Sequence, residues 1–201
     1  MRLSATVVAA ACVVLAASTP LVPRSTPPGE PRTGATLSPA ATEPSATLLV
    51  RGAPARDVSW DGPLARPQRL RDLTAQGNVL LVFAPTATQL RALEADRDRL
   101  LSLRVVPAAV VERNAAGSVG LARQLGLHFT LIPDPQRVIA EQFNTLDGAT
   151  LHAMPAWFVL DRRGRVRALD RSGVPESGFA RLASGALDLP TPGVALPGST
   201  H

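Results

Sequence analysis

The chain has 201 residues, of which 45% are hydrophobic, which is enough for one domain with an apolar core. Its formal net charge is +5, but all of its basic residues are arginine and most alternate with acidic residues, so we expect no nucleic-acid binding. Only 3% of the residues are aromatic, so the core must be built mainly from leucine, valine and alanine.

The first residues have the pattern of a secretory signal peptide, residues 1–18. Arg2 precedes an apolar run from Ala5 to Ala17, and Ser18 follows as part of a small-residue cleavage site. At about 1.5 Å per residue, this run is shorter than the roughly 30 Å hydrocarbon core, which disfavours a transmembrane helix. We therefore expect a secreted or cell-envelope (periplasmic) protein that contacts a membrane only through an uncleaved signal.

The single cysteine, Cys12, lies inside this apolar run. It follows two alanines in a weak match to a lipoprotein cleavage site, so lipidation is the less favoured alternative to loss with the signal peptide. If cleavage occurs near Ser18, the processed protein has no thiol and can form no disulfide.

Residues 19–46 are rich in proline, serine, threonine and glycine and have almost no large apolar side chain. Such a segment cannot offset the entropy of ordering, so we predict a disordered tether. Residues 190–201 have the same character and predict a flexible tail. The folded domain is therefore predicted to span residues 48–189.

The domain begins with a strand and a capped helix. Residues 78–83 are a continuous apolar run apart from Asn78, which is typical of a central strand buried on both faces. Thr86 and Gln89 have capping-box spacing and predict the start of a helix. One apolar face of that helix is formed by Leu90, Leu93, Leu100 and Leu101.

The remaining pattern predicts a strand over 105–111, a helix over 118–125 that ends at Gly126, and a strand over 129–132. Asp134 and Pro135 then predict the N-cap and first residue of a helix. Strands over 155–160 and 166–169 flank a hairpin turn, and Pro175 opens the last helix. The order β-α-β-α-β-α-β-β-α predicts an α/β domain with a mixed sheet and helices on both faces.

Four motifs in this order resemble the redoxins, that is, the peroxiredoxin (AhpC/TSA) family and the related membrane-tethered thiol–disulfide oxidoreductases. They lie at residues 52–55, 69–83, 126–135 and 156–166. The resemblance covers about residues 52–169 and implies a thioredoxin-like three-layer sandwich. It also implies that the Met154–Pro155 bond is cis and faces the active site, with a trans proline at the start of a strand as the alternative.

The residues that would perform redox chemistry in these families are missing. A redoxin needs a thiolate at the N-terminus of the helix that follows the central strand, where the helix dipole favours the anion. Against the peroxiredoxin pattern P-x-x-x-T-x-x-C, Gln89 replaces the threonine and Ala92 the cysteine. Against the C-x-x-C pattern, Ala87 and Leu90 replace the two cysteines. We therefore assign no catalytic residue to this chain.

Other chemistry has little support. The hydroxyls of Thr86 and Thr88 would need a base, and nothing in the sequence places His128 or His152 beside them. These two histidines lack the paired spacing of metal ligands, and no phosphate-binding loop is present. We accordingly predict no metal site and no cofactor.

Three functions remain open. The favoured one is a non-catalytic binding or accessory protein that holds a protein or peptide partner at the former active-site face, a mode that needs no sulfur. The alternatives are a thiol-dependent antioxidant or oxidoreductase that acts with a borrowed thiol, and a structural envelope protein. The predicted binding residues are Pro85, Thr86, Thr88, Gln89, Met154 and Pro155.

Overall fold

The structure is a computed structural model that describes residues 48–62 and 66–190. The predicted signal peptide, Cys12, the tether and residues 191–201 lie outside these ranges. Within them, no helix is both long enough and apolar enough to cross a membrane.

The described part of the chain contains seven strands and six helices, named here in chain order. The strands are β1 (Ser59–Asp61), β2 (Pro67–Arg69), β3 (Asn78–Phe83), β4 (Val105–Val111), β5 (Thr130–Pro133), β6 (Ala156–Leu160) and β7 (Val166–Asp170). The helices are α1 (Leu70–Gln76), α2 (Ala87–Ala95), α3 (Arg97–Ser102), α4 (Ala115–Leu125), α5 (Val138–Gln142) and α6 (Phe179–Ala186).

Five strands form one mixed sheet in the order β5-β4-β3-β6-β7. β3 pairs in parallel with β4, which pairs in parallel with β5. On its other side β3 pairs antiparallel with β6, which pairs antiparallel with β7. This arrangement confirms the predicted α/β sandwich with a mixed central sheet.

After its first residue, Asn78, the central strand β3 is entirely apolar because helices cover both faces of the sheet. Val79, Leu81 and Phe83 belong to one apolar cluster, whereas Leu80 and Val82 belong to the cluster on the opposite face. This alternation follows from the two-residue period of a strand. Burying both faces holds β3 rigidly, and the residues that follow it are therefore held in a defined place.

The predicted helix after β3 is divided into α2 and α3 by Asp96. The Asp96 carboxylate is buried and accepts the Ala180 N–H at the start of α6, at 3.2 Å. The division turns α3 relative to the expected apolar stripe, so Leu100 is buried but Leu101 is 45% exposed. The prediction of one continuous helix with both leucines on its buried face is wrong.

Three helix starts also differ from the prediction. α4 begins at Ala115 after the Asn114 cap, three residues before the predicted start at residue 118. Asp134 is not the N-cap of α5, because Arg137 occupies that position with a positive φ of 59°. The buried Asp134 carboxylate instead accepts the N–H groups of Ile139 and Ala140, so it satisfies the same free donors from outside the helix. The last helix begins at Phe179 after Gly178, later than Pro175.

The segment at the start of the described domain packs along the β6–β7 hairpin. The N–H of Gly52 donates to the Val166 carbonyl at 2.7 Å, and the N–H of Ala55 donates to the Gly164 carbonyl at 2.8 Å. The side chain of Arg171 donates to the Leu49 carbonyl at 2.7 Å. These bonds fix the place where the chain enters the domain.

Candidate functional site at the start of the second helix

The candidate site lies at the end of the sheet that holds the C-termini of β3 and β4. Because these two strands are parallel, the residues that follow them meet at this same end of the sheet. A groove of about 470 Å³ opens there between the ends of the two strands and helices α2 and α4. Its lining residues are Ala84, Pro85, Ala87, Leu90, Val111, Glu112, Arg113 and Leu121.

The start of α2 forms the capping box that the sequence predicts. Thr86 is the N-cap, and its hydroxyl accepts the Gln89 N–H at 3.2 Å. In return the Gln89 side-chain oxygen accepts the Thr86 N–H at 2.8 Å. Two free donors of the first turn are thus satisfied, and the helix start is held in place without any ligand.

The Gln89 side chain also ties α2 to the segment before α6. Its amide nitrogen donates to the Val174 carbonyl at 2.9 Å and to the Glu176 carboxylate at 3.1 Å. Gln89 is only 6% exposed, so its side chain lies below the surface and not on the face open to a partner. Nothing local in the sequence indicated this link, because Val174 lies 85 residues further along the chain.

The structure distinguishes the two possible alignments of the missing thiol. Ala87 is the first residue of α2 and is exposed, whereas Ala92 lies in the second turn of the same helix. The free N–H groups and the positive end of the dipole act only at the first turn. The geometry of an activated thiol therefore matches Ala87 and the C-x-x-C spacing, with Leu90 buried beneath it.

Neither histidine is hydrogen-bonded to Thr86 or Thr88. His128 bonds to Glu94 with Nδ1 at 2.9 Å from the carboxylate, and His152 bonds to Glu112 at the same distance. The threonines that precede and begin the helix are exposed. No base is therefore in hydrogen-bonding contact with a hydroxyl of this site.

The contact between Glu112 and the segment before β6 is a second polar feature of the site that the sequence did not reveal. Glu112 follows β4 directly and also accepts the Ala153 N–H at 2.6 Å. Burial raises the pKa of Glu112, but the Ala153 N–H, His152 and the charge of Arg137 together lower it by more, so the pKa lies below the usual value of a glutamate. No sequence signal could pair Glu112 with His152, because 40 residues separate them.

Met154 and Pro155 lie at the same end of the sheet as the start of α2. Phe83, the last residue of β3, pairs with Ala156, the first residue of β6, so the residues after β3 and the residues before β6 lie at this one end. Met154 is half-buried and its N–H donates to the Thr145 carbonyl at 2.6 Å, whereas Pro155 is exposed.

The Met154–Pro155 bond is trans, so the prediction of a cis bond is wrong. Pro155 precedes the strand, where a trans proline removes no ladder hydrogen bond.

The described residues contain no group of three or more histidine, cysteine, aspartate or glutamate side chains arranged to hold a metal ion. The site therefore consists of an apolar groove, a capped helix start and one carboxylate–histidine pair.

The strand order and the helix that starts directly after β3 define a thioredoxin-like domain of the peroxiredoxin type. The model of the AhpC/TSA family matches residues 52–169, and the chain belongs to this family. That assignment confirms the resemblance drawn from the four motifs. No curated protein matches the chain.

Solved structures agree on the fold. Peroxidoxin BcpB from Mycobacterium tuberculosis is 19% identical, with a TM-score of 0.63 over 70% of this chain and 97% of that chain. A cysteine-to-serine mutant of Xylella fastidiosa PrxQ is 15% identical, with a TM-score of 0.61 over 70% of this chain and 96% of that one. Enterococcus faecalis AhpC is 17% identical, with a TM-score of 0.59 over 70% and 94%. At these identities the likeness concerns the fold alone.

Proposed function

We propose that this protein is an exported, non-catalytic member of the AhpC/TSA family that binds a protein partner at the former active-site face. The observation that carries the proposal is the occupant of the first turn of α2: Ala87 stands at the exposed position where a helix dipole would activate a thiol. The only cysteine of the chain is Cys12, far from this position in the sequence.

The shape of the site suits an extended peptide. The groove is lined mainly by small and apolar side chains, with the charged residues Glu112 and Arg113 at the end of β4. At the start of α2 the groove is flanked by Pro85, Thr86 and Thr88. The same end of the sheet also holds Met154 and Pro155. A peptide could place a small apolar side chain in the groove and meet Glu112 or Arg113 with a polar or charged group.

Export rests on the sequence of residues 1–18, with its apolar run and small-residue site. The intact mass of the protein recovered from producing cells tests this part. We expect a mass that corresponds to removal of the first 18 residues or close to it. A full-length mass together with recovery from the cytoplasm would contradict export.

A peroxide-consumption assay with a dithiol reductant tests the absence of thiol chemistry. We expect the wild-type full chain and its Cys12→Ser variant to consume peroxide equally, at the rate of the reductant alone. Turnover by the wild type that disappears in Cys12→Ser would favour the alternative of an acting thiol.

The binding face is tested by placing a large cation on it. The double variant T88R/M154R should lose the partners that are cross-linked to the wild-type protein in cells, because both changes place a large charged side chain on the proposed binding face. Ala95→Arg is the matched control, since Ala95 is exposed on the same helix at its opposite end. Equal cross-linking by T88R/M154R and wild type would contradict the proposed face.

A further inference from the structure

The end of the sheet opposite the candidate site carries a cluster of arginines. β6 begins beside the site, at the pair Phe83–Ala156, and ends at the pair Val79–Leu160, where the β6–β7 hairpin turns. Six exposed arginines lie on this hairpin and on the segment beside it, and we call them the arginine surface: Arg51, Arg56, Arg162, Arg163, Arg165 and Arg167.

Two distant parts of the chain combine to form the arginine surface. Ala55 donates to the Gly164 carbonyl, which places Arg56 next to the hairpin turn. Arg165 donates to the Gly52 carbonyl at 3.1 Å, which places Arg51 next to the start of β7. The hairpin alone carries four arginines, and the fold adds two more from more than 100 residues away.

The charge of this surface is poorly compensated. None of its six arginines forms an ion pair with a carboxylate of the described residues, whereas Arg71, Arg97 and Arg99 elsewhere do. Two acids adjoin the surface in the sequence: Asp57, next to Arg56, pairs with Arg71, and Asp161, next to Arg162, accepts the backbone N–H groups of Arg163 and Arg165. The Asp161 carboxylate is thus oriented into the turn and offsets only part of the positive charge.

We propose that the arginine surface docks on an anionic lipid membrane. The chain enters the described domain at residues 48–55, which form part of this surface, and the residues before it include the apolar run Ala5–Ala17. The run is predicted to meet a bilayer during export, and the exposed arginines supply the positive charge that anionic lipid attracts. Each arginine near an anionic surface strengthens attraction by about fivefold.

The proposal also orients the domain. The arginine surface and the candidate site lie at opposite ends of β3, so docking on lipid leaves the groove directed away from the membrane. The proposed partner site therefore stays accessible. This inference does not depend on the identity of that partner, because it rests on different residues.

The test is sedimentation of the full chain with phosphatidylcholine vesicles that contain or lack phosphatidylglycerol. The variant R51Q/R163Q/R167Q is compared with R91Q/R123Q/R181Q, which removes the same charge from exposed arginines elsewhere. Both variants keep the apolar run, so binding through that run is common to them and independent of phosphatidylglycerol. Thermal unfolding checks that both are folded, and R162Q/R163Q against R91Q/R181Q provides a milder second pair.

We expect R51Q/R163Q/R167Q to lose at least about tenfold of its phosphatidylglycerol-dependent affinity, with little loss in the control. Added salt should abolish the difference between the two vesicle types. Equal losses in both variants would mean that only net charge matters, and this would overturn the proposal. It is also overturned if neither variant changes, or if the wild type binds a soluble nucleic acid or acidic polypeptide but not the anionic vesicles.

Discussion

Ala87 begins helix α2, whereas Ala92 lies one turn further along the same helix. Only the N–H groups of the first turn lack partners within the helix, so only the position of Ala87 receives the full stabilisation of an anion. The scaffold that activates sulfur in the thioredoxin fold is thus present in this chain, and the reactive atom is missing from it.

A cysteine placed at Ala87 should therefore be reactive. In a Cys12→Ser background, we expect the thiol of Ala87→Cys to have a pKa below about 8.5 and to alkylate about ten times faster at neutral pH than that of Ala95→Cys. Ala95 is the matched control because it is exposed at the other end of α2, where the dipole opposes a thiolate. The pH dependence of iodoacetamide reaction measures both pKa values. Equal rates would show that the helix start does not activate a thiol.

Gln89 should matter for stability more than for contact with a partner. Gln89→Ala removes the buried links to Thr86, Val174 and Glu176 and should lower the free energy of unfolding by about 1–3 kcal/mol. Gln76→Ala is the control, since Gln76 is exposed at the end of α1, and its removal should cost less than about 0.5 kcal/mol. Urea unfolding measures both. Similar small losses would mean that the Gln89 bonds are not formed in solution.

The sequence predicted the features that depend on local pattern. The strand over 78–83, the strand over 105–111, the capping box at Thr86 and the helix end at Gly126 are all confirmed, because burial on both faces and cap chemistry leave direct marks on residue type. The short strands β1 and β2 were not predicted, since three residues show no period.

The features that the sequence did not reveal depend on contacts between distant residues. Asp96, where the predicted helix divides, accepts the Ala180 N–H, and no pattern within 86–101 indicates that partner. The same holds for Glu112 with His152 and for Gln89 with Val174. The conformation of the Met154–Pro155 bond was inferred from a family resemblance that does not extend to this detail.

Glu112 should make stability depend on pH. Its pKa in the folded protein lies below the usual value of a glutamate, so its contribution is present above that usual pKa and is lost as the pH falls through the lower, folded pKa. Wild type should thus exceed Glu112→Gln in unfolding free energy at neutral pH by up to about 1 kcal/mol, and the difference should shrink in acid. Urea unfolding at several pH values measures this. Glu141→Gln, at an exposed position in the first turn of α5, is the control. A constant or growing difference in acid would contradict the ion-pair account.

Ala84 connects β3 to the candidate site with a backbone that suits glycine better than alanine. Its φ is 45°, in the left-handed region, while its N–H donates to the Val110 carbonyl at 3.2 Å. A Cβ in this region costs about 1–2 kcal/mol, part of which glycine would lose again through its greater freedom in the unfolded chain. We therefore expect Ala84→Gly to raise the free energy of unfolding by up to about 1 kcal/mol. Ala95→Gly, at the last residue of α2, should lower it by up to about 1 kcal/mol. Thermal unfolding of the two variants measures these opposite signs, and a loss of stability in both would show that the strand end does not hold Ala84 in this conformation.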